Sequence, residues 1–182
     1  MIISQLLDTG SKILKNNKIA THQLDAELVL SSLLKKQREN LIINFDKKVS
    51  KYVENSFRKL IIRRSTKEPL AYILKNKEFW SKNFFVNRST LIPRPETELL
   101  CENVIKIFKN KNPYILDIGT GTGCILLSIL SEIKNGKGIG VDISAKAIAV
   151  AKKNSNNLAL NKRAKFFTSS LDDIKNYKFD LI

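Results

Sequence analysis

The stretch Asp117-Ile118-Gly119-Thr120-Gly121-Thr122-Gly123 narrows what this chain can fold into more than any other. It lies directly after the apolar run Tyr114-Ile115-Leu116 and directly before Cys124-Ile125-Leu126-Leu127-Ser128-Ile129-Leu130, so it reads as a loop between a buried strand and a helix. Glycine at alternate positions lets the backbone turn tightly and lets a ligand approach without meeting a Cβ, while the helix behind offers free N–H groups. The alternation then continues. GIGVDI (138–143) reads as a second strand, Ala145 to about Asn154 as a helix, KFFTSS (165–170) as a third strand, and Phe179-Asp180-Leu181-Ile182 opens a fourth. A helix through Val104, Ile107 and Phe108 to about Asn110 precedes the set. This pattern predicts a doubly wound α/β sheet of parallel strands, with ligands at their carboxyl ends.

Which ligand the loop suits follows by comparison of spacings. A phosphate-cradling loop needs Gly-Lys followed by Ser or Thr, whereas Gly136-Lys137 is followed by Gly138. The dinucleotide pattern G-x-G-x-x-G needs glycine where Cys124 stands. What remains is G-x-G-x-G, with Asp117 two positions ahead of its first glycine and Asp142 at the end of the next strand. This resembles the S-adenosylmethionine loop of class I methyltransferases. A cofactor without a pyrophosphate needs close backbone approach more than an anion cradle. A carboxylate at Asp142 can accept both ribose hydroxyl protons, and Asp117 can hold the loop or meet the cationic methionine end. The plainer reading of Asp142 is a turn at Asp-Ile-Ser, with Ser144 capping the next helix.

Residues up to about Leu74 read as helices. Leu24, Leu28, Leu30, Leu33 and Leu34 fall on one broad face behind Thr21, a candidate cap. Tyr52, Val53, Phe57, Leu60 and Ile61 repeat the pattern after Ser50, with Arg63 and Arg64 near the carboxyl end and Pro69 as the stop. Between Glu78 and Val86, four aromatics flank the turn-like Ser81-Lys82-Asn83, a hairpin signal expected to cover an aromatic core and to join two domains. The expected division is a helical domain over 1–76, a hairpin linker over 77–92 and the α/β part over 93–182.

The net charge of +15 raises the question of an anionic partner, but the lysines are scattered and form no dense arm, so charge alone names none. Two cysteines and one histidine leave no room for a zinc site or a disulfide framework, and no metal site is expected. Cys101 and Cys124 lie among aliphatic residues and read as buried packing; His22 reads as a surface or capping residue. The first residues form neither a secretory signal nor a transit peptide, and no apolar run approaches membrane-spanning length, which suits a reduced, cytoplasmic protein.

Several further segments carry a more specific likeness. Glu68-Pro69-Leu70-Ala71-Tyr72-Ile73-Leu74, Glu78-Phe79-Trp80, Leu91-Ile92-Pro93-Arg94-Pro95-Glu96-Thr97-Glu98-Leu99-Leu100, the glycine loop and Val141-Asp142-Ile143-Ser144 together resemble the HemK/PrmC family of peptide chain release factor N(5)-glutamine methyltransferases. Leu24 to Leu30 matches that family's helical domain. The resemblance implies a small helical bundle, a hairpin linker and a Rossmann-like class I methyltransferase domain. It implies methyl transfer from S-adenosyl-L-methionine to the glutamine amide in the Gly-Gly-Gln loop of class 1 release factors, the helical domain helping to hold that protein. It carries cofactor contact onto Asp117, Gly119, Thr120, Gly121, Thr122, Gly123, Asp142 and Leu171, and places Arg94, Glu96 and Thr97 near the substrate. Read from the residues alone, Glu96 and Glu98 can equally favour a helix start.

Two departures accompany it. Lys75 stands where the family has glycine, and Ser170-Leu171 stands where it has Asp-Trp, with Asp172 or Asp173 as candidate replacements for the acid. The family's Asn-Pro-Pro-Tyr segment follows the fourth strand and does not occur in these residues. The methyltransferase domain is therefore expected to be incomplete at its carboxyl end, with no catalytic residue to assign and a chain inactive alone. The rival expectations are a nucleic-acid amino methyltransferase and a non-catalytic binding module.

Overall fold

A computed structural model describes residues 1–170 and 178–182. The chain divides into two compact units, Met1–Leu74 and Lys75–Ile182. The first is all helix: α1 (Ile3–Asn16), α2 (His22–Leu34), α3 (Glu39–Ile43), α4 (Lys51–Ser65) and α5 (Leu70–Leu74). Its core gathers Leu6, Leu14, Val29, Leu30, Phe57 and Ile61. Ser50 caps α4 by accepting from the Val53 N–H at 3.3 Å. Thr21 precedes α2 as expected but makes no side-chain cap bond.

Two expectations about this unit need correction. Tyr52 is exposed, because α4 buries the stripe centred on Phe57 and Ile61 and Tyr52 falls off it. On α2 the buried face is Asp25, Ala26, Val29 and Leu30, while Leu24 is exposed. A carboxylate is tolerated there because the Arg64 Nε donates to Asp25 Oδ2 at 2.6 Å, which makes Arg64 its internal partner. Arg63 forms a two-pronged pair with Glu68, at 2.9 and 2.7 Å.

The second unit opens with the hairpin β1 (Lys77–Phe79) and β2 (Lys82–Phe84). Trp80 and Ser81 form its turn, both with positive φ (51° and 52°), one position earlier than the sequence suggested. Positive φ at both central residues matches the right-handed twist of the flanking strands. That register puts Phe79 and Phe84 on the buried side, their rings edge to face at 6.2 Å. Both belong to the core of this unit, along with Leu126, Leu127, Ile129 and Phe166.

The sheet follows the predicted order: α6 (Glu98–Phe108), β3 (Tyr114–Ile118), α7 (Cys124–Glu132), β4 (Lys137–Asp142), α8 (Ala145–Asn157) and β5 (Ala164–Thr168). The strands are parallel in the order β3-β4-β5. After β5 the chain returns to the other side of β3. Ile115 already pairs with Gly138 of β4, and Leu181 bridges Ile115 in parallel, with the Leu116 N–H donating to Leu181 O at 2.9 Å. The direction of strand addition therefore reverses at β3. In open α/β sheets the crevice at the carboxyl end of such a reversal is where ligands bind.

Candidate functional site

The glycine loop leaves the sheet at that reversal. All three loop glycines have positive φ: 72° at Gly119, 54° at Gly121 and 78° at Gly123. They serve different ends. A Cβ on Gly119 would meet nothing within 4 Å, so that face of the loop is open. A Cβ on Gly123 would lie 3.1 Å from Leu127 Cδ1 and 3.2 Å from Phe166 Cζ, so this glycine lets α7 seat against the sheet.

The two acidic residues hold the loop from either side. Asp117 Oδ2 accepts from the Thr120 hydroxyl at 2.7 Å. Burial pushes the Asp117 carboxyl above its ordinary range, the Thr120 bond only partly opposing this, and Asp142 nearby raises it further. Asp142 Oδ2 accepts from the Gly121 N–H at 3.1 Å, and its Oδ1 accepts from the Ser144 N–H at 2.9 Å. Ser144 in turn caps α8, accepting from the Ala147 N–H at 3.2 Å. Each Asp142 oxygen has used one lone pair and retains another. The turn at Asp-Ile-Ser therefore exists without exhausting the carboxylate.

Thr120 and Thr122 are buried. Thr122 Oγ1 accepts from the Cys124 N–H at 3.3 Å, and the Gly119 and Thr120 N–H groups both donate to Val141 O at 2.9 Å. These hydroxyls and amides shape the loop from beneath. Leu171, Asp172 and Asp173 lie outside the described residues. Arg94 just before a short 3-10 turn (Pro95–Thr97) and Glu96 on it are exposed, and among the described residues neither side chain has a polar partner; Thr97 is half-buried. Glu98 is committed elsewhere, accepting from the Trp80 N–H at 2.9 Å and bracing the hairpin turn on α6. Cys101 and Cys124 are buried free thiols, and burial pushes them up to about 12 and about 11, which suits packing and not nucleophilic chemistry.

Two residues of this site escaped the sequence reading. Asn154, wholly buried on α8, donates through Nδ2 to Thr122 O (2.9 Å) and Phe85 O (3.0 Å) and accepts from the Phe85 N–H (2.7 Å). The sequence signal was an amide on the stripe carrying Ala147 and Ala151, both buried. Ile143 follows Asp142 and is 84% exposed, an apolar side chain left open beside the carboxylate. An open glycine face, a carboxylate with spare lone pairs and an exposed aliphatic residue suit a nucleoside-like ligand.

Comparison with known proteins agrees with this geometry. Residues 5–74 match the family model described as the PrmC N-terminal domain, and residues 109–182 match one described as a methyltransferase domain. A release factor glutamine methyltransferase of Leptospira interrogans is 40% identical over 99% of this chain and 65% of its own length. One from Buchnera aphidicola is 42% identical over 87% of this chain and 57% of its own. A bifunctional methyltransferase of Rickettsia conorii is 34% identical over 99% of this chain and 39% of its own. The chain thus spans less than two thirds of the length of these relatives.

Proposed function

We propose, for a chain that belongs to the HemK/PrmC methyltransferase family, that it binds S-adenosylmethionine at the glycine loop and serves methylation of the glutamine amide in the Gly-Gly-Gln loop of a class 1 release factor. The cofactor's place is supported by the open face of Gly119 and by the spare lone pairs of Asp142. Asp142 takes the ribose diol. Ile143 covers a face of the base, and Asp117 meets the cationic end of the methionine portion, which restores an ionised carboxylate in its buried position. Thr120 holds Asp117, while Thr122, Gly121 and Gly123 keep the loop in the shape that admits the ligand. Leu171 is assigned the base-side contact that the family's motif gives to this position.

When bound, the cofactor supplies an electrophilic methyl group on a sulfonium. An amide nitrogen is a weak nucleophile because its lone pair is delocalised, so catalysis in this family depends on orientation more than on proton abstraction. Arg94, Glu96 and Thr97 lie on a proline-stiffened segment and are assigned to substrate contact; the unpartnered charges at Arg94 and Glu96 support that. The helical unit Met1–Leu74 is assigned to recognition of the release factor. Among the described residues no helix is long and apolar enough to cross a membrane.

The observation that carries the cofactor reading is the Asp142–Gly121 bond at the strand reversal. The test uses the 182-residue chain. Calorimetry with S-adenosylhomocysteine and surface resonance with an immobilised class 1 release factor should both saturate, and Asp142→Ala should weaken the first only, by roughly tenfold or more. Failure of the release factor arm alone overturns the substrate assignment; failure of the calorimetric arm overturns the cofactor site.

A further inference from the structure

A second concavity lies at the opposite end of the sheet from the glycine loop. α8 starts at the carboxyl ends of the strands, at Ser144, and runs back, so its last turns stand beside the residues that open β5. There a cavity of about 340 Å³ is lined by Lys152, Ser155, Asn156, Asn161, Lys165 and Phe167, among others. That volume is at the lower end of small-molecule sites.

Its floor holds an unmet polar group. Ser155 is 1% exposed, and among the described residues its hydroxyl has no hydrogen-bond partner. A buried hydroxyl without a partner costs stability, and a ligand oxygen would satisfy it. The rim is basic and amide-rich. Lys165 Nζ is steadied by donating to Asn161 O at 3.0 Å, and Lys152 is exposed with no acidic partner among the described residues. Phe167 is 51% exposed at the mouth.

The local charge has one sign. Residues 143–170 contain Lys146, Lys152, Lys153, Lys162, Arg163 and Lys165, and no Asp or Glu. Two of the six are spent internally. Arg163 donates to the carbonyls of Leu130, Ile133 and Gly136 at 2.6–3.0 Å, and Lys153 sits 3.6 Å from the centre of the Phe85 ring. Of the other four, Lys152 and Lys165 line the cavity and make its rim cationic, around a neutral, donor-lined floor beside an exposed aromatic face. Cation, hydroxyl and amide donors suit phosphate oxygens, and an exposed ring suits a base.

We propose that this α8–β5 cavity binds the phosphate of a nucleotide, with Lys152, Lys165 and Ser155 on the phosphate and Phe167 against the base. The phosphate can belong to a free nucleotide or to single-stranded RNA. The reading stands independently of the glycine loop.

The experiment titrates the 182-residue chain with uridine 5′-monophosphate by calorimetry and with a fluorescein-labelled decauridylate by anisotropy, each with and without saturating S-adenosylhomocysteine. Binding should be saturable, should persist in the presence of S-adenosylhomocysteine, and should weaken as salt rises. The double variant Lys152→Glu/Lys165→Glu should lose roughly tenfold or more. Ser155→Ala, which removes only the orphaned hydroxyl, should lose about tenfold with no loss of folding. Lys12→Glu/Lys15→Glu, the same charge change in the helical unit, should leave binding intact. Tight decauridylate with weak monophosphate binding identifies single-stranded RNA as the source; equal binding per phosphate identifies the free nucleotide. Absence of saturation with both probes overturns the proposal, as does an equal loss in the Lys12/Lys15 control or displacement by S-adenosylhomocysteine.

Discussion

The carboxylate of Asp142 accepts the backbone N–H of Gly121 at 3.1 Å, joining the end of one strand to the middle of the loop that follows its neighbour. Its other oxygen takes the Ser144 N–H at 2.9 Å, so one side chain fixes both the glycine loop and the start of α8. Charge-assisted bonds of this kind contribute more than neutral ones. Asp142→Asn retains a single carbonyl acceptor and can satisfy only part of this arrangement. We expect Asp142→Asn to lower unfolding free energy by about 1–2 kcal/mol, and Asp142→Ala by about 2–4 kcal/mol, in urea titrations.

The three loop glycines should separate stability from binding. Gly123→Ala forces a side chain into positive φ and against Leu127 and Phe166, and should cost about 2–4 kcal/mol. Gly119→Ala meets only the backbone penalty, about 1 kcal/mol, because nothing lies within 4 Å of its Cβ. Its cost should appear instead as weaker binding of S-adenosylhomocysteine, since the added methyl occupies the open face. Equal stability losses for the two variants would contradict the division of roles.

Asp117 links stability to pH. Its carboxyl is raised by burial, so the folded state holds the proton more tightly than the unfolded chain does. The sign follows: this residue's contribution to stability is greatest in acid and declines as pH rises from the unfolded carboxylate pKa through the higher folded one. Asp117→Asn should therefore unfold at a higher temperature than the parent at neutral pH, with the gap closing in acid. Ligand binding should run the other way. The affinity for S-adenosylhomocysteine should rise with pH as Asp117 ionises, and the Asn variant should lose both the affinity and its pH dependence.

Asn154→Ala should be among the most damaging single changes in the second unit. It strands the Phe85 N–H and removes donors from Thr122 O and Phe85 O, all next to the loop. A loss of about 2–4 kcal/mol in urea unfolding is expected. Asn154→Asp keeps the acceptor and loses both donors, so it should not rescue.

The strand, loop and helix around Asp117 to Gly123 were legible in sequence because a buried parallel strand, a glycine loop and a helix each leave a local pattern. The order of α6 to β5 followed for the same reason. Features set by partners distant in the chain were not legible. The hairpin turn falls on Trp80 and Ser81, neither of which advertises positive φ, and Glu98 braces it from 18 residues away. Asp25 was invisible as a buried residue because its partner Arg64 lies 39 residues on. Of the candidate site, Asp117 and Asp142 were found from spacing. Asn154 and Ile143 were missed, one because a buried amide looks like a surface one, the other because exposure at a strand end is decided by the fold.

The central claim is that Asp142 and the glycine loop form an S-adenosylmethionine site. Titration calorimetry of S-adenosylhomocysteine into the 182-residue chain and into its Asp142→Ala variant tests it most directly, with the fold of each checked by circular dichroism. The account predicts one site in the parent chain and an affinity lower by roughly tenfold or more in a variant that keeps its fold. A folded parent chain that gives no binding heat at any temperature, or a variant that binds as tightly as the parent, would contradict it.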